Sequence, residues 1–286
     1  MNKVVSFFHK QSSTYSYIVI DQSTNACVVI DPVLDYDASA GRTSTESASE
    51  MVDYIKAHSF RLEWILETHV HADHLSSAAY LKAQLGGKIA IGAKITDVQQ
   101  LFKGVFNTEN EMPIDGSQFD ALLENKAEIN FGESRLKVMH TPGHTPACST
   151  YVINDELAFV GDTIFMPDMG TARCDFPGGS AQQLFSSIQQ ILSLPDETIL
   201  YMCHDYAPNG REYKNITTVR EQRHKNIHVN HDVIEKEFVS LRTERDNTLA
   251  VPALLIPSVQ FNMRTGQAPK AESNGKHYLK IPLNQF

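Results

Sequence analysis

The sequence predicts an α/β fold, and three observations carry the prediction. Short runs rich in Val, Ile and aromatic residues alternate with segments whose apolar residues recur at helical spacing. Hydrophobic residues make up 42% of the 286 residues, ample for a core. No Gly-, Ser- or Pro-rich linker divides the chain, so residues 1–286 are expected to form one domain.

Taken in order, Tyr17–Asp21 and Cys27–Asp31 are β-branched runs separated by the polar turn Ser23-Thr24-Asn25, the pattern of a hairpin. A polar loop containing Gly41 follows. Ser47–His58 places Met51, Val52, Tyr54 and Ile55 at helical spacing. Trp64–Leu66 reads as a short buried strand. Ser76–Leu85 reads as a helix stopped by Gly86 and Gly87, and Lys88–Ile91 as another strand. Residues 93–130 are mixed, with a helical piece at Thr96–Phe102. Leu136–Met139, Ser149–Ile153 and Leu157–Val160 are strand-like. Ala181–Leu192 is helical, and Thr198–Met202 is a strand. Arg211–Ile227 and Asp232–Arg245 read as two helices, and from about residue 250 the signals are weak and punctuated by proline.

Lys and Arg number 25 against 34 Asp and Glu, a formal charge of −9. Such a chain repels a phosphate backbone, so no nucleic-acid partner is expected. An anionic ligand must be held by a few placed arginines. Cys27, Cys148, Cys174 and Cys203 are too sparse for a disulfide framework and suit a reducing compartment. The N-terminus lacks a signal-peptide pattern, and no apolar run approaches about 18 residues. A cytoplasmic location without a membrane partner is the expectation.

The strongest chemical signal is Thr68-His69-Val70-His71-Ala72-Asp73-His74, at the end of a predicted strand. Imidazole nitrogens and a carboxylate so concentrated suit zinc or iron(II). Asp73 alone could be a helix N-cap, and one histidine alone a surface residue, but the cluster is hard to explain that way. Three later residues repeat the placement: His144 in a tight turn, Asp162 after Leu157–Val160, and His204 after Thr198–Met202. His140 is expected to be packed at its strand end. His224 and His228, four apart, could bind zinc, but Arg223, Lys225 and Asn226 around them suggest a solvated helix face. Cys148 and Cys174 are expected to be small buried hydrophobes.

The series Thr-His-x-His-x-Asp-His, then Thr141-Pro142-Gly143-His144-Thr145, Gly161-Asp162 and His204 resembles the metallo-β-lactamase superfamily. The resemblance implies an αββα sandwich of two mixed sheets with outer helices. Dinuclear members of that family would use His69, His71 and His144 at one position, Asp73, His74 and His204 at the other, and Asp162 between them. Asp31–Asp37 with Gly41–Ser44, the Gly170–Phe176 segment, His204-Asp205-Tyr206 and Asn262-Met263-Arg264 are similar to bacterial persulfide dioxygenases. That similarity implies one iron(II) per chain on His69, His144 and Asp162, with His71, Asp73, His74 and His204 as hydrogen-bond partners around it. The implied reaction takes glutathione persulfide, O2 and water to glutathione and sulfite. A dinuclear, zinc-containing thioester hydrolase of the glyoxalase II type is the alternative, because all seven ligand positions are filled. The segment through 93–130 is longer than in shorter relatives and bears on the pocket rim. A homodimer is left open.

Substrate contacts are expected from Arg173, Tyr206 and Arg264, which fall on matching motifs. Arg220 and Arg223, three apart on a predicted helix shortly after His204, share a face and are expected to hold the carboxylates of glutathione. The C-terminal helices from about residue 211 would thus complete the substrate pocket.

Overall fold

The computed structural model describes residues 1–285. Its first half runs β1 (Asn2–His9), β2 (Thr14–Asp21), β3 (Ala26–Ile30), β4 (Val33–Asp37), β5 (Arg42–Ser44), α1 (Glu46–Ala57), β6 (Arg61–Glu67), β7 (Leu75–Ser76), α2 (Ala78–Leu85), β8 (Lys88–Gly92), α3 (Ile95–Phe106) and β9 (Ala121–Leu123). The second half runs β10 (Glu128–Phe131), β11 (Ser134–His140), β12 (Ser149–Ile153), β13 (Leu157–Phe159), α4 (Ala181–Leu192), β14 (Ile199–Tyr201), β15 (Ile216–Thr218), α5 (Val219–Lys225), α6 (Glu235–Asp246) and α7 (Leu255–Asn262).

Two six-stranded sheets result, ordered β1-β2-β3-β6-β8-β9 and β10-β11-β12-β13-β14-β15. Both are mixed: β3, β6, β8 and β9 run parallel, as do β13 and β14, and the remaining pairs are antiparallel. Successive residues of a strand point to opposite faces. Tyr17 and Val19 of β2 therefore enter the layer between the sheets, where they join Val28, Ile30 and Leu66 against Phe131, Val138, Tyr151 and Phe159. Ile18 and Ile20 point the other way and pack with residues of α1, α2, α3 and α7. The outer face of the second sheet is covered by α4, α5 and α6. This is the αββα sandwich expected, and it explains the unbroken run Tyr17–Ile20 in β2: both of its faces are buried.

The departures from the sequence reading have local causes. β1 is only half-buried at the sheet edge, so its alternation is blurred. The polar loop near Gly41 contains β4 and β5, which with β7 form a small third sheet. The helix expected over Arg211–Ile227 begins only at Val219. Residues Ile216–Thr218 pair with β14 instead, and the Thr218 hydroxyl caps α5 by accepting the Glu221 N–H at 3.1 Å. The weak tail folds α7, with Pro257 in its first turn, where a missing N–H costs nothing. The 93–130 segment contributes α3, β9 and β10. Phe102 of α3 packs on Phe176 with ring centroids 5.5 Å apart, so this segment buttresses the site from behind.

Gly143 shows how tightly the β11–β12 loop is held. Its φ is 140°, and a Cβ there would sit 2.3 Å from the Leu184 backbone in α4. We expect Gly143→Ala to lower stability by roughly 1–3 kcal/mol, read as a lower unfolding midpoint in denaturant. An unchanged midpoint would mean that this turn and α4 are not in contact.

Candidate metal centre

Every candidate ligand follows the C-terminal end of a strand: the His69–His74 loop after β6, His144 after β11, Asp162 after β13 and His204 after β14. These ends lie on one edge of the sandwich, so residues far apart in sequence meet. The donor atoms of His69, His144 and Asp162 all lie within 4.8 Å of one another. Asp162 Oδ2 is 3.8 Å from His69 Nε2 and 3.7 Å from His144 Nε2. His71, Asp73, His74 and His204 form an adjacent group at the same spacing. Asp162 Oδ1 and Asp73 Oδ2 each lie 3.4 Å from His204 Nε2. Asp73 is no helix cap: α2 starts at Ala78, after Ser77.

The donor set fits a metal. His69 Nε2, His71 Nδ1, His74 Nε2, His204 Nε2 and Asp162 Oδ1 are buried without a hydrogen-bond partner. Buried polar atoms are normally satisfied, and five orphans facing one place are what a cation resolves. The opposite ring nitrogens are held by the protein. His144 Nδ1 donates to the Arg173 carbonyl at 2.7 Å, and His204 Nδ1 to that of Ser13 at 3.2 Å. These bonds fix each tautomer with Nε2 free.

Asp31, at the end of β3, organises the first loop. It accepts the Thr68 N–H at 2.7 Å, the Thr68 hydroxyl at 2.8 Å and His71 Nε2 at 3.0 Å. The Thr68 oxygen in turn lies 3.0 Å from His69 Nδ1. Asn262, the last residue of α7, clamps the same loop. Its amide donates to the carbonyls of His71 and His74 and accepts the Ser76 N–H at 2.8 Å.

Burial pushes His69 well below the usual histidine range and His74 down to about 4, so both are neutral, as metal ligation requires. Burial also opposes charge on His71, but Asp31 and Glu67 outweigh it and hold the ring well above its ordinary value. Burial likewise disfavours a charged His204, yet Asp162 and Asp73 raise it. Burial raises the thiols of Cys148 and Cys174 to about 12, which leaves them inert.

A pocket of about 350 Å³ opens onto the cluster, lined by Asp73, His144, Asp162, Phe165, Arg173, Tyr206, Arg242 and Arg245 among others. Arg173 and Tyr206 both line this pocket. Arg173 is already engaged by Asp175 and the Ala250 carbonyl. Tyr206 stacks on His204, with ring planes 10° apart. The expectation for Arg220, Arg223 and Arg264 is corrected. Arg220 pairs with Asp196 and Glu197, and Arg223 binds Asp196 and the Leu192 carbonyl. The shortened α5 aims both at the end of α4, beside a wider groove of about 600 Å³ that holds no metal-ligand cluster among the described residues. Arg264 is buried and donates back to the Gln260 carbonyl of α7. In their place Arg242 and Arg245 of α6 reach the pocket. Arg242 is buried against Asp246, whereas Arg245 is exposed and makes no ion pair among the described residues. No residue of 93–130 lines this pocket.

His140 and His228 are structural. His140 Nε2 donates to the Leu123 carbonyl at 2.9 Å. His228 Nδ1 accepts the Thr171 N–H at 3.1 Å, and so is not free to share a zinc with His224.

The family model for the metallo-β-lactamase superfamily matches residues 10–204, which contain every candidate ligand named above. The chain belongs to the metallo-β-lactamase superfamily. Relatives extend along nearly the whole superfamily fold. A probable metallo-hydrolase of Burkholderia pseudomallei is 51% identical, covering 98% of this chain and 99% of its own. Glyoxylase B2 of Dictyostelium discoideum is 49% identical over 99% and 97%. The mitochondrial persulfide dioxygenase ETHE1 of Homo sapiens is 31% identical over 92% and 89%. Among solved structures, ETHE1 from Myxococcus xanthus superposes with a TM-score of 0.74 at 27% identity, covering 93% of this chain and all of that one.

Asp31, Asn262, Arg242 and Arg245 escaped sequence reasoning as site residues. Asp31 and Asn262 stand within motifs that matched the superfamily's persulfide dioxygenases, yet their role depends on what they touch. We expect Asp31→Asn to weaken metal retention about 10- to 100-fold, because the replacement keeps the shape but halves the acceptors. Competition against a chelator measures this, and wild-type retention would show that Thr68 and His71 hold without it.

Proposed function

We propose that this protein is a persulfide dioxygenase, oxidising glutathione persulfide with O2 and water at a single iron(II) held by His69, His144 and Asp162. The supporting observation is the composition of the inner group. Two histidines and one carboxylate gather within 4.8 Å, His144 and Asp162 of them lining the pocket, and His71 is grouped with the other position. A facial set of this kind leaves open positions, and iron(II) there supplies the redox chemistry that joins O2 to sulfur. The likeness to ETHE1 supports the same reading. The chain's own residues do the rest. Nδ1 bonds hold His144 and His204 in their tautomers, Phe165 and Tyr206 wall the sulfur's approach, and Arg245 meets a carboxylate of the tripeptide. The four unpaired, buried cysteines suit the reducing cytoplasm.

A second reading has its own support. Asp162 Oδ1 stands 3.4 Å from His204 Nε2, placed to serve both groups, and two relatives near 50% identity are named as a metallo-hydrolase and a glyoxylase. A dinuclear thioester hydrolase would use all seven residues.

Anaerobic purification with metal analysis separates the two. About one iron per chain and oxygen uptake with glutathione persulfide are expected. Two metals and a fast anaerobic thioesterase rate on S-lactoylglutathione would move the assignment to the hydrolase. Asp162→Ala should lose both iron and oxygen uptake, while His74→Ala and His204→Ala keep most of the iron. Equal metal loss in all three would make the site dinuclear.

The unpaired guanidinium of Arg245 sets a further expectation. A charge-assisted contact contributes roughly 1.5–3 kcal/mol, so Arg245→Ala should raise KM at least several-fold at unchanged iron content. Arg220→Ala and Arg223→Ala should leave KM at the wild-type value. The opposite pattern in steady-state kinetics would put the substrate against α5.

A further inference from the structure

Two cavities reach the metal centre. The pocket of about 350 Å³ described above shares Ala72, His144, Arg173 and Pro252 with a second cavity of about 220 Å³. Arg173 stands between them. Its guanidinium donates to the Ala250 carbonyl at 2.7 Å, and the residues flanking Ala250 part there: Leu249 lines the first cavity and Val251 the second. That bond is a bar across what would otherwise be one cleft.

The chemistry differs on its two sides. The first cavity carries Arg245, exposed and without an ion pair among the described residues, together with Tyr206 and Asp73. The second is walled by Ala72, Phe176, Val251, Pro252 and Leu255. Its two charged residues, Arg173 and Asp175, bind each other through a pair of hydrogen bonds. His144 spends Nδ1 on the Arg173 carbonyl, and its ring centroid lies 6.0 Å from that of Phe176. An anion entering here gains no free cation and meets the Asp175 carboxylate. Water finds few unengaged partners, and a cavity of this kind suits a small uncharged guest. The walls also give it a direction. Val251 is 49% exposed, whereas Leu255 is 4% and Ala72 6% exposed, so the cavity runs inward from the surface toward His144.

We propose that this second cavity is the entry and holding site for O2, separate from the pocket that takes the persulfide anion. The inference rests on the dioxygenase reading, which supplies O2 as the co-substrate. A tripeptide persulfide seated in the first cavity covers the approach past Asp162 and Phe165. The second cavity still touches His144 from the other side of Arg173, so a gas molecule reaches the centre while the organic substrate is bound. Val251 at the mouth and Leu255 within set the width of that route.

Crystals of the iron-loaded enzyme, kept anaerobic, are pressurised with xenon, which occupies apolar cavities open to small gases. Xenon is expected between Phe176 and Leu255 and should be lost in Leu255→Phe, whose ring takes the space. Oxygen uptake is then measured with O2 and glutathione persulfide varied in turn. Leu255→Phe and Val251→Trp, the latter at an exposed position that leaves the core intact, should each lower kcat/KM for O2 several-fold. Iron content and kcat/KM for the persulfide should stay at their wild-type values, and Arg245→Ala should show the reverse pattern. Absence of xenon from the cavity, or an unchanged kcat/KM for O2 in both variants, overturns the proposal. A fall in kcat/KM for the persulfide in its place puts part of the organic substrate in the second cavity and overturns it as well. Absence of oxygen uptake by the wild-type enzyme overturns the dioxygenase reading and O2 as the guest with it, whereas uptake that neither variant slows overturns the cavity's role alone.

Discussion

The carboxylate of Asp31 is the interaction on which the site depends. It is buried between the sheets' ends and accepts three hydrogen bonds from the loop that follows β6. Burial of a charge is costly unless it is paired and fully hydrogen-bonded. Here the Thr68 amide, the Thr68 hydroxyl and His71 meet that requirement together, and His71 helps hold the carboxyl below its usual range against burial. Because the same contacts orient His69 through Thr68 and His71 directly, the two histidines are aimed before any metal arrives. Asp31 itself has φ 49°, a left-handed conformation uncommon outside glycine, which turns its side chain back over the parallel neighbour β6.

The sandwich explains how one anchored loop becomes a centre. Two sheets packed face to face put the ends of β6, β11, β13 and β14 along one edge. The candidate ligands there stand within a few residues of rigid strand ends, which holds their donor atoms within a few ångströms. Elements far along the chain finish the work. α7 sends Asn262 onto the carbonyls of His71 and His74, and α6 sends Arg242 and Arg245 to the pocket. The tail that looked featureless in sequence is therefore part of the site's frame.

Charge is arranged locally, against the global balance. The chain carries −9, yet its centre crowds five histidines around Asp73 and Asp162, and the pocket wall beside them carries three arginines. Two of those guanidiniums are neutralised by Asp175 and Asp246, which leaves Arg245 without an ion pair among the described residues. Such a division lets an acidic surface coexist with a locally cationic pocket wall.

By itself the sequence determined the fold class, the place of most strands and helices, and seven candidate metal-ligating residues. Those features are local: β-branched runs, helical periodicity and residues whose chemistry suits a metal wherever they are placed. It also located Arg173 and Tyr206 at the pocket, through motifs read whole. Tertiary structure decided which candidate ligands group together: Asp31 holds His71 Nε2, and His71 Nδ1 is left beside Asp73, His74 and His204. It also decided which arginines face the pocket. Arg220 and Arg223 share a helical face as their spacing says, but β15 pairs with β14 and delays the start of α5, so that face meets Asp196 and the end of α4. Sheet pairing depends on a partner strand distant in sequence, and no local pattern in residues 211–227 records it.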